Sequence, residues 1–366
     1  MGEPLKVGVV GTGTISRTYF EHLAKLPGTE VVAAADLDIS RAKAAGEKYG
    51  VRAMTPDELY ADEEVEAILN LTIPAAHASV TLAALGAGKH VYGEKPLAVT
   101  RQEARPLLDA AAQAGLRIGC APDTVLGTGT QTARALLDRG EIGQPIAATA
   151  FFVSPGPEPW HPDPEFYYKP GGGPLLDMGP YYLSALINLL GPIARVTGRV
   201  GRARQERTVG SGPKEGTTFT VEVDTHVTGV LEHESGVLTS IVTSFDVWGA
   251  KLPRIEVYGS EGSLSVPDPN TFAGDVEVFK PGSHEWSVAQ VAGGYADSGR
   301  GYGLADMARA IRDGGRHRAS GELAYHVLDV MESLLESGTR GGAPVEVEST
   351  VERPAAVPEG ATPDVA

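Results

Sequence analysis

VGVVGTGTIS, residues 7–16, runs from a β-branched strand pattern through three glycines into a helical pattern. Gly8 lies within the strand, Gly11 permits a tight strand-to-helix turn, and Gly13 lets the backbone amides at Thr14 and Ile15 approach an anion at the positive end of the helix. Ser16 stands where the usual fingerprint has its third glycine and is small enough to keep the packing close. Taken alone this is a tight turn. A second feature gives it a ligand: VVAAAD ends the next strand at Asp36, 23 residues after Gly13, where a carboxylate accepts the hydroxyls of an adenosine ribose. The pair reads as a dinucleotide site. Leu37 and Asp38 follow, with no basic residue to meet a 2′-phosphate, so NAD is favoured; Arg41 is near enough to keep NADP open.

Around this motif, short β-branched runs alternate with longer Ala/Leu-rich segments. Strands are expected at 5–10, 30–35, 67–71, 90–93 and 116–119, with a short one near Val51, and helices at 14–26, 40–49, 56–60, 75–87 and 101–114. The pattern predicts an α/β domain, a doubly wound parallel sheet over residues 1–123. Ligands cross such sheets at their carboxyl edge. LNLTIPAAHASV brings Asn70, Thr72, Pro74 and His77 to that edge, and VYGEKPLAVT brings Glu94 and Lys95.

After Asp123 the periodicity changes. A helix at 128–139 and a strand at 145–153 precede SPGPEPWHPDPEFYYKPGGGP, whose prolines cannot sustain a regular ladder and predict a surface loop. Trp160, His161 and Tyr167 in it are candidates for stacking on, or hydrogen-bonding to, a ligand. A helix at 175–190 leads into alternating segments at 193–204, 217–231, 237–245, 254–258, 263–266 and 275–279, which predict an open, largely antiparallel sheet. Two apolar helical stripes follow, Leu304/Met307/Ile311 and Leu323/Val327/Val330/Met331/Leu334. The second domain is assigned to 124–348, and the Pro-rich, small-residue stretch 349–366 reads as an extended tail.

Composition excludes several classes. The formal charge of −16 argues against a nucleic-acid surface, and the single cysteine rules out an intramolecular disulfide. No run approaches the roughly 20 apolar residues of a membrane-spanning helix, and no signal-peptide pattern precedes the first strand, so a cytoplasmic protein is expected. The histidines are dispersed and there is no HExxH or paired-cysteine pattern, so no metal is expected.

The glycine motif, GEKP at 93–96, GGGPLLDMGPYYLSALINLLG at 171–191 and IEVYGSEGSL at 255–264 together resemble the glucose-fructose oxidoreductase/inositol dehydrogenase/rhizopine-catabolism (Gfo/Idh/MocA) family over nearly the whole chain. The resemblance implies a Rossmann domain followed by an α/β domain with an open, mostly antiparallel sheet. It also implies hydride transfer between a nicotinamide cofactor and a sugar, cyclitol or related polyol, and a homodimer or homotetramer. Lys95 then matches the catalytic lysine and Asp177 the family's acidic residue. Tyr181 stands where many members have histidine; tyrosine at this place also occurs in members resembling dihydrodiol dehydrogenases and glucose-fructose oxidoreductases. Lys95, Tyr181, Asp177, Trp160, His161 and Tyr167 are the expected substrate contacts. GCAPDTVLGTG, at 119–129, lacks the basic or polar contact that many relatives place there, which favours a neutral polyol over a sugar phosphate. Two other readings stay open: a redox-neutral glycoside-processing enzyme with tightly held NAD, and a non-catalytic dinucleotide-sensing or interaction protein.

Overall fold

The computed structural model describes residues 3–296 and 299–361. The first six strands are β1 (Leu5–Val10), β2 (Thr29–Ala35), β3 (Arg52–Met54), β4 (Ala67–Asn70), β5 (His90–Gly93) and β6 (Ile118–Cys120). They form one parallel sheet in the order β3-β2-β1-β4-β5-β6. Helices α1 (Ser16–Leu23), α2 (Ile39–Tyr49), α3 (Pro56–Ala61), α4 (Pro74–Gly86) and α5 (Arg101–Ala114) connect them. The register aligns Ala35, Val10, Asn70, Gly93 and Cys120 in one row across β2, β1, β4, β5 and β6. Every loop leaving that row therefore opens on the same edge, and the strand order reverses between β1 and β4, where a doubly wound sheet forms its ligand crevice.

The second sheet has nine strands. α6 (Thr128–Asp138), β7 (Pro145–Val153) and α7 (Pro174–Leu190) precede β8 (Ile193–Gly201). β9 (Glu206–Thr208) and β10 (Thr218–Thr220) form a separate ribbon, followed by β11 (His226–His233), β12 (Leu238–Ser244), β13 (Ile255–Gly259), β14 (Gly262–Val266), β15 (Glu277–Phe279) and β16 (Ser287–Val288). After α8 (Tyr302–Asp313) and α9 (Gly321–Thr339), β17 (Val345–Glu346) closes the order β16-β15-β14-β13-β7-β12-β11-β8-β17. All its pairs are antiparallel except β7 with β12. Val196, Val227, Leu231, Ile241, Ala148, Ala150 and Val257 fill the inward face, and α7 and α9 pack against the sheet.

Three features add to the sequence reading. The segment expected as one strand over 217–231 is two, because β10 turns away to pair with β9, and Val221 and Glu222 bond the backbone of Gln205 and Tyr168. Beyond residue 123, helix α8 packs back on the first sheet. Arg312 there reaches Glu66 at 2.8 Å, and the Tyr302 ring meets His22. The stretch read as a tail is extended but docked. Arg318 donates to the carbonyls of Ala355 and Ala356, Val357 N–H to Gln131, and Val357 is 1% exposed. Residues 362–366 of that stretch lie outside the described residues. The domains are further joined by Arg101, at the start of α5, whose guanidinium meets Asp329, Glu332 and Glu336 of α9 at 2.8–3.2 Å.

Burial makes the fold acid-sensitive at a defined point. His233 is 1% exposed, with Nδ1 facing the Gly191 carbonyl at 2.8 Å and Nε2 facing Thr239 Oγ1 at 3.0 Å. Desolvation holds its pKa down to about 4, against 6.5 for a free imidazole, despite the opposing Gly191 hydrogen bond. The unfolded chain therefore binds a proton between these values that the folded chain refuses. The stability this carries is present above pH 6.5 and is lost as the pH falls to 4, on the order of 3 kcal/mol in full. Urea midpoints measured at pH 7 and pH 5 should fall with acid, and the fall should be shallower in His233→Gln; equal slopes would remove His233 as the cause.

Candidate active site

Gly11 adopts φ +95°, and a Cβ there would sit 2.8 Å from the Leu71 backbone, so the turn demands glycine. At Gly13 an added Cβ meets no protein atom within 4 Å, and no side chain caps the N-terminus of α1, whose flank is Thr14 and Ile15. Ser16 Oγ donates to the Gly13 carbonyl at 2.7 Å and closes the turn. Asp36 leaves β2 beside it: Oδ2 accepts from Thr12 N–H and Oγ–H, both at 2.9 Å, and Oδ1 from Asp38 N–H at 3.0 Å. Burial works against its charge, but these hydrogen bonds hold its pKa below the usual value. An open glycine turn, an uncapped helix start and an ionised carboxylate fit a dinucleotide: Gly11–Ile15 would meet its pyrophosphate and Asp36 its ribose.

The remaining expected cofactor contacts divide. Gly8 faces inward, with the space of a Cβ taken by Leu59 at 2.8 Å, so its role is packing. Asn70 is 1% exposed and spends its amide on the His77 carbonyl and its oxygen on Thr72 Oγ1 at 2.6 Å. His77 points both ring nitrogens at protein carbonyls, Pro96 at 2.6 Å and Thr72 at 3.0 Å, and thereby clips the Thr72 loop to the Lys95 loop. These two residues shape the crevice rather than face into it, whereas Pro74 is exposed at the start of α4. Arg41 lies on the surface, 3.8 Å from Asp38. Leu37, 97% exposed beside Asp36, and Ile73, 70% exposed, offer apolar surface that the sequence reading did not single out.

Lys95 follows β5, and its Nζ donates to both the carbonyl and the carboxylate of Asp177, each at 2.8 Å. The two side chains are 18% and 23% exposed. Burial disfavours the ammonium, but Asp177 and then Tyr181 outweigh it, so the Lys95 pKa stands above that of a free lysine. Lys95 is thereby held in its cationic form. Asp177 lies in the first turn of α7, and Tyr181, one turn on, is 5% exposed with its ring centroid 5.3 Å from Lys95 Nζ. Glu94 is held by a Tyr19 hydroxyl bond of 2.8 Å and itself accepts the Lys95 N–H.

The proline-rich loop arrives as an aromatic cluster in which Trp160, His161, Phe166 and Tyr167 meet edge-on or tilted at 4.1–6.3 Å. Burial and then Asp177 push the Tyr167 phenol up to about 12, with Lys95 opposing, which places Tyr167 in electrical reach of the site. Trp160 remains 65% exposed, and His161 Nδ1 accepts the Asp163 N–H. Arg300 was not anticipated: its Nη2 donates to the Tyr181 hydroxyl at 3.0 Å. Asp123, 0% exposed, lies 3.8 Å from Arg300 and accepts the Gly301 and Gly303 amides at the start of α8. Among the described residues no group of three or more His, Cys, Asp or Glu side chains could hold a metal ion, and no helix is long and apolar enough to cross a membrane.

A dinucleotide-type crevice with a lysine–aspartate pair and a phenol at its mouth defines an NAD(P)-dependent oxidoreductase. Residues 5–121 match the oxidoreductase family with an NAD-binding Rossmann fold, and residues 130–265 the GFO/IDH/MocA C-terminal domain. A 1,5-anhydro-D-fructose reductase from Ensifer adhaerens is 31% identical over 263 residues, 70% of this chain and 74% of that protein. An inositol 2-dehydrogenase from Salmonella typhimurium is 34% identical over 175 residues, 45% of this chain and 51% of that enzyme, so the match spans about half its length. The apo form of a levoglucosan dehydrogenase superposes with a TM-score of 0.82 at 20% identity, covering 96% of this chain and all of that one, a likeness of fold. The chain belongs to the Gfo/Idh/MocA family of oxidoreductases.

Proposed function

We propose that this chain is an NAD-linked dehydrogenase for a neutral sugar, cyclitol or related polyol, interconverting a secondary alcohol or hemiacetal and its carbonyl. The observation that carries this reading is Lys95 Nζ, held 2.8 Å from both the backbone carbonyl and one carboxylate oxygen of Asp177 at the carboxyl edge of the dinucleotide-type sheet. When bound, the nicotinamide supplies or accepts the hydride. Lys95 presents a permanent cation to the reacting oxygen and stabilises charge that develops there. Asp177 fixes the ammonium, and Tyr181 brings a hydroxyl for proton transfer. Lys95 and Arg300 already face Asp177 and Asp123, which leaves little uncompensated positive charge for a phosphate and supports a neutral substrate.

Asp36, with no basic side chain directly after it, supports NAD over NADP. Calorimetry should give tighter binding of NAD than NADP, weakened about 10- to 100-fold in Asp36→Ala, the range for losing a hydrogen bond to a charged group. NADH formation with a panel of polyols and aldoses then tests the substrate class. Tighter NADP would overturn the cofactor preference. Failure of folded protein to bind either cofactor, with none retained from purification, would overturn hydride transfer altogether.

A further inference from the structure

We propose that Arg300 is a positioning residue: it holds the Tyr181 hydroxyl so that its proton points away from the guanidinium. This rests on the dehydrogenase reading for its purpose, but its geometry stands independently. Arg300 Nη2 donates to Tyr181 Oη at 3.0 Å, and its guanidinium carbon lies 5.5 Å from the ring centroid. A guanidinium only donates, so the phenol oxygen must accept here. A phenol O–H prefers the ring plane and has two positions there. With one direction taken by Arg300, the proton occupies the other.

The arginine is itself held from two sides. Its carbonyl faces His22 Nδ1 at 2.9 Å, and Nη1 faces Asp123 Oδ1 at 3.8 Å. Arg300 Nη1 and Asp123 Oδ1 are buried and, among the described residues, have no closer hydrogen-bond partner. The other Asp123 oxygen accepts the Gly301 and Gly303 amides, so the carboxylate anchors both the backbone just after Arg300 and its charge. Lys95 Nζ stands 5.3 Å and the Arg300 guanidinium carbon 5.5 Å from the Tyr181 ring centroid, so the phenol ring has two cations against it. Only one of them, Arg300, donates to its oxygen among the described hydrogen bonds. After a proton leaves that oxygen, the Arg300 N–H is already in place to meet the charge, with no reorganisation.

The test requires no substrate. The Raman Fermi doublet of tyrosine reports whether the phenol oxygen accepts or donates, and the difference between wild type and Tyr181→Phe isolates Tyr181. Wild type should show an accepting phenol, Arg300→Met should lose that signature, and Arg300→Lys, which keeps a donor, should recover part of it. An unchanged Tyr181 signature in folded Arg300→Met would overturn the proposal. NAD titration of the same variants separates it from the wider reading: Arg300→Met should bind NAD like wild type. Loss of NAD binding in wild type would overturn the dehydrogenase while leaving the Raman result decisive for Arg300. With a polyol that wild type oxidises, Arg300→Met should lower kcat about 10²-fold, and in a Tyr181→Phe background it should add no further loss; a full further loss would overturn action through Tyr181.

Discussion

Lys95→Met is expected to lower kcat for polyol oxidation by about 10²–10³-fold, the usual cost of removing one preorganised group that meets developing charge. Methionine keeps the length and the apolar stem of lysine and deletes only the ammonium. The fold should survive, because Asp177 is 23% exposed and can recover water when its partner is removed. NAD affinity should change little, since the dinucleotide contacts are assigned to Gly11–Ile15 and Asp36. Lys95→Arg should rescue poorly: the guanidinium fork cannot place a single point charge within 2.8 Å of both the carbonyl and the carboxylate of Asp177. Steady-state NADH production, with circular dichroism and NAD calorimetry on the same preparations, checks all three. A folded Lys95→Met enzyme within a few-fold of wild type would remove Lys95 from the reaction.

The parts of this site that sequence displays are those set by local backbone needs. Gly11 and Gly13 announce a turn, Asp36 announces the end of the strand beside it, and the alternation of 5–10, 67–71 and 90–93 announces strands that share one edge. Lys95 and Asp177 are 82 residues apart, and composition does not join them; the family resemblance did. Arg300 had neither kind of signal. It sits in a glycine-flanked loop, and its meaning lies in Tyr181 and Asp123, which are far away along the chain and leave no periodic trace. Asn70 and His77 lie at the expected edge, with their polar atoms hydrogen-bonded within the loops around them. Strand β9 was missed because its inward residue is an arginine, which an apolar-alternation reading counts as surface.

That arginine, Arg207, carries the largest expected effect on stability. It is 4% exposed, lies 2.6 Å from Glu158, pairs also with Asp246, and donates to the Pro155 and Phe245 carbonyls. Around it, Tyr168, Val209, Phe219, Val221 and Phe245 form a small apolar cluster separate from the main core. Arg207→Met should cost about 3–5 kcal/mol, because it leaves two carboxylates buried together without a cation. Glu158→Gln should cost less, since the arginine keeps Asp246. The effect should also reach the site. Tyr168 donates to Glu158 at 2.5 Å, and its neighbour Tyr167 is the aromatic residue in electrical reach of Asp177 and Lys95. The cluster thus anchors Tyr168, the residue next to Tyr167, in the proline-rich loop. Urea unfolding should show a clear drop in midpoint for Arg207→Met. Sub-denaturing kinetics should show a raised KM with kcat reduced less, the signature of a displaced binding loop rather than a damaged reacting centre. An unchanged midpoint would mean that the ion cluster is solvated and carries no net stability, and the anchoring of Tyr167 would then have to come from the apolar contacts of Tyr168 alone.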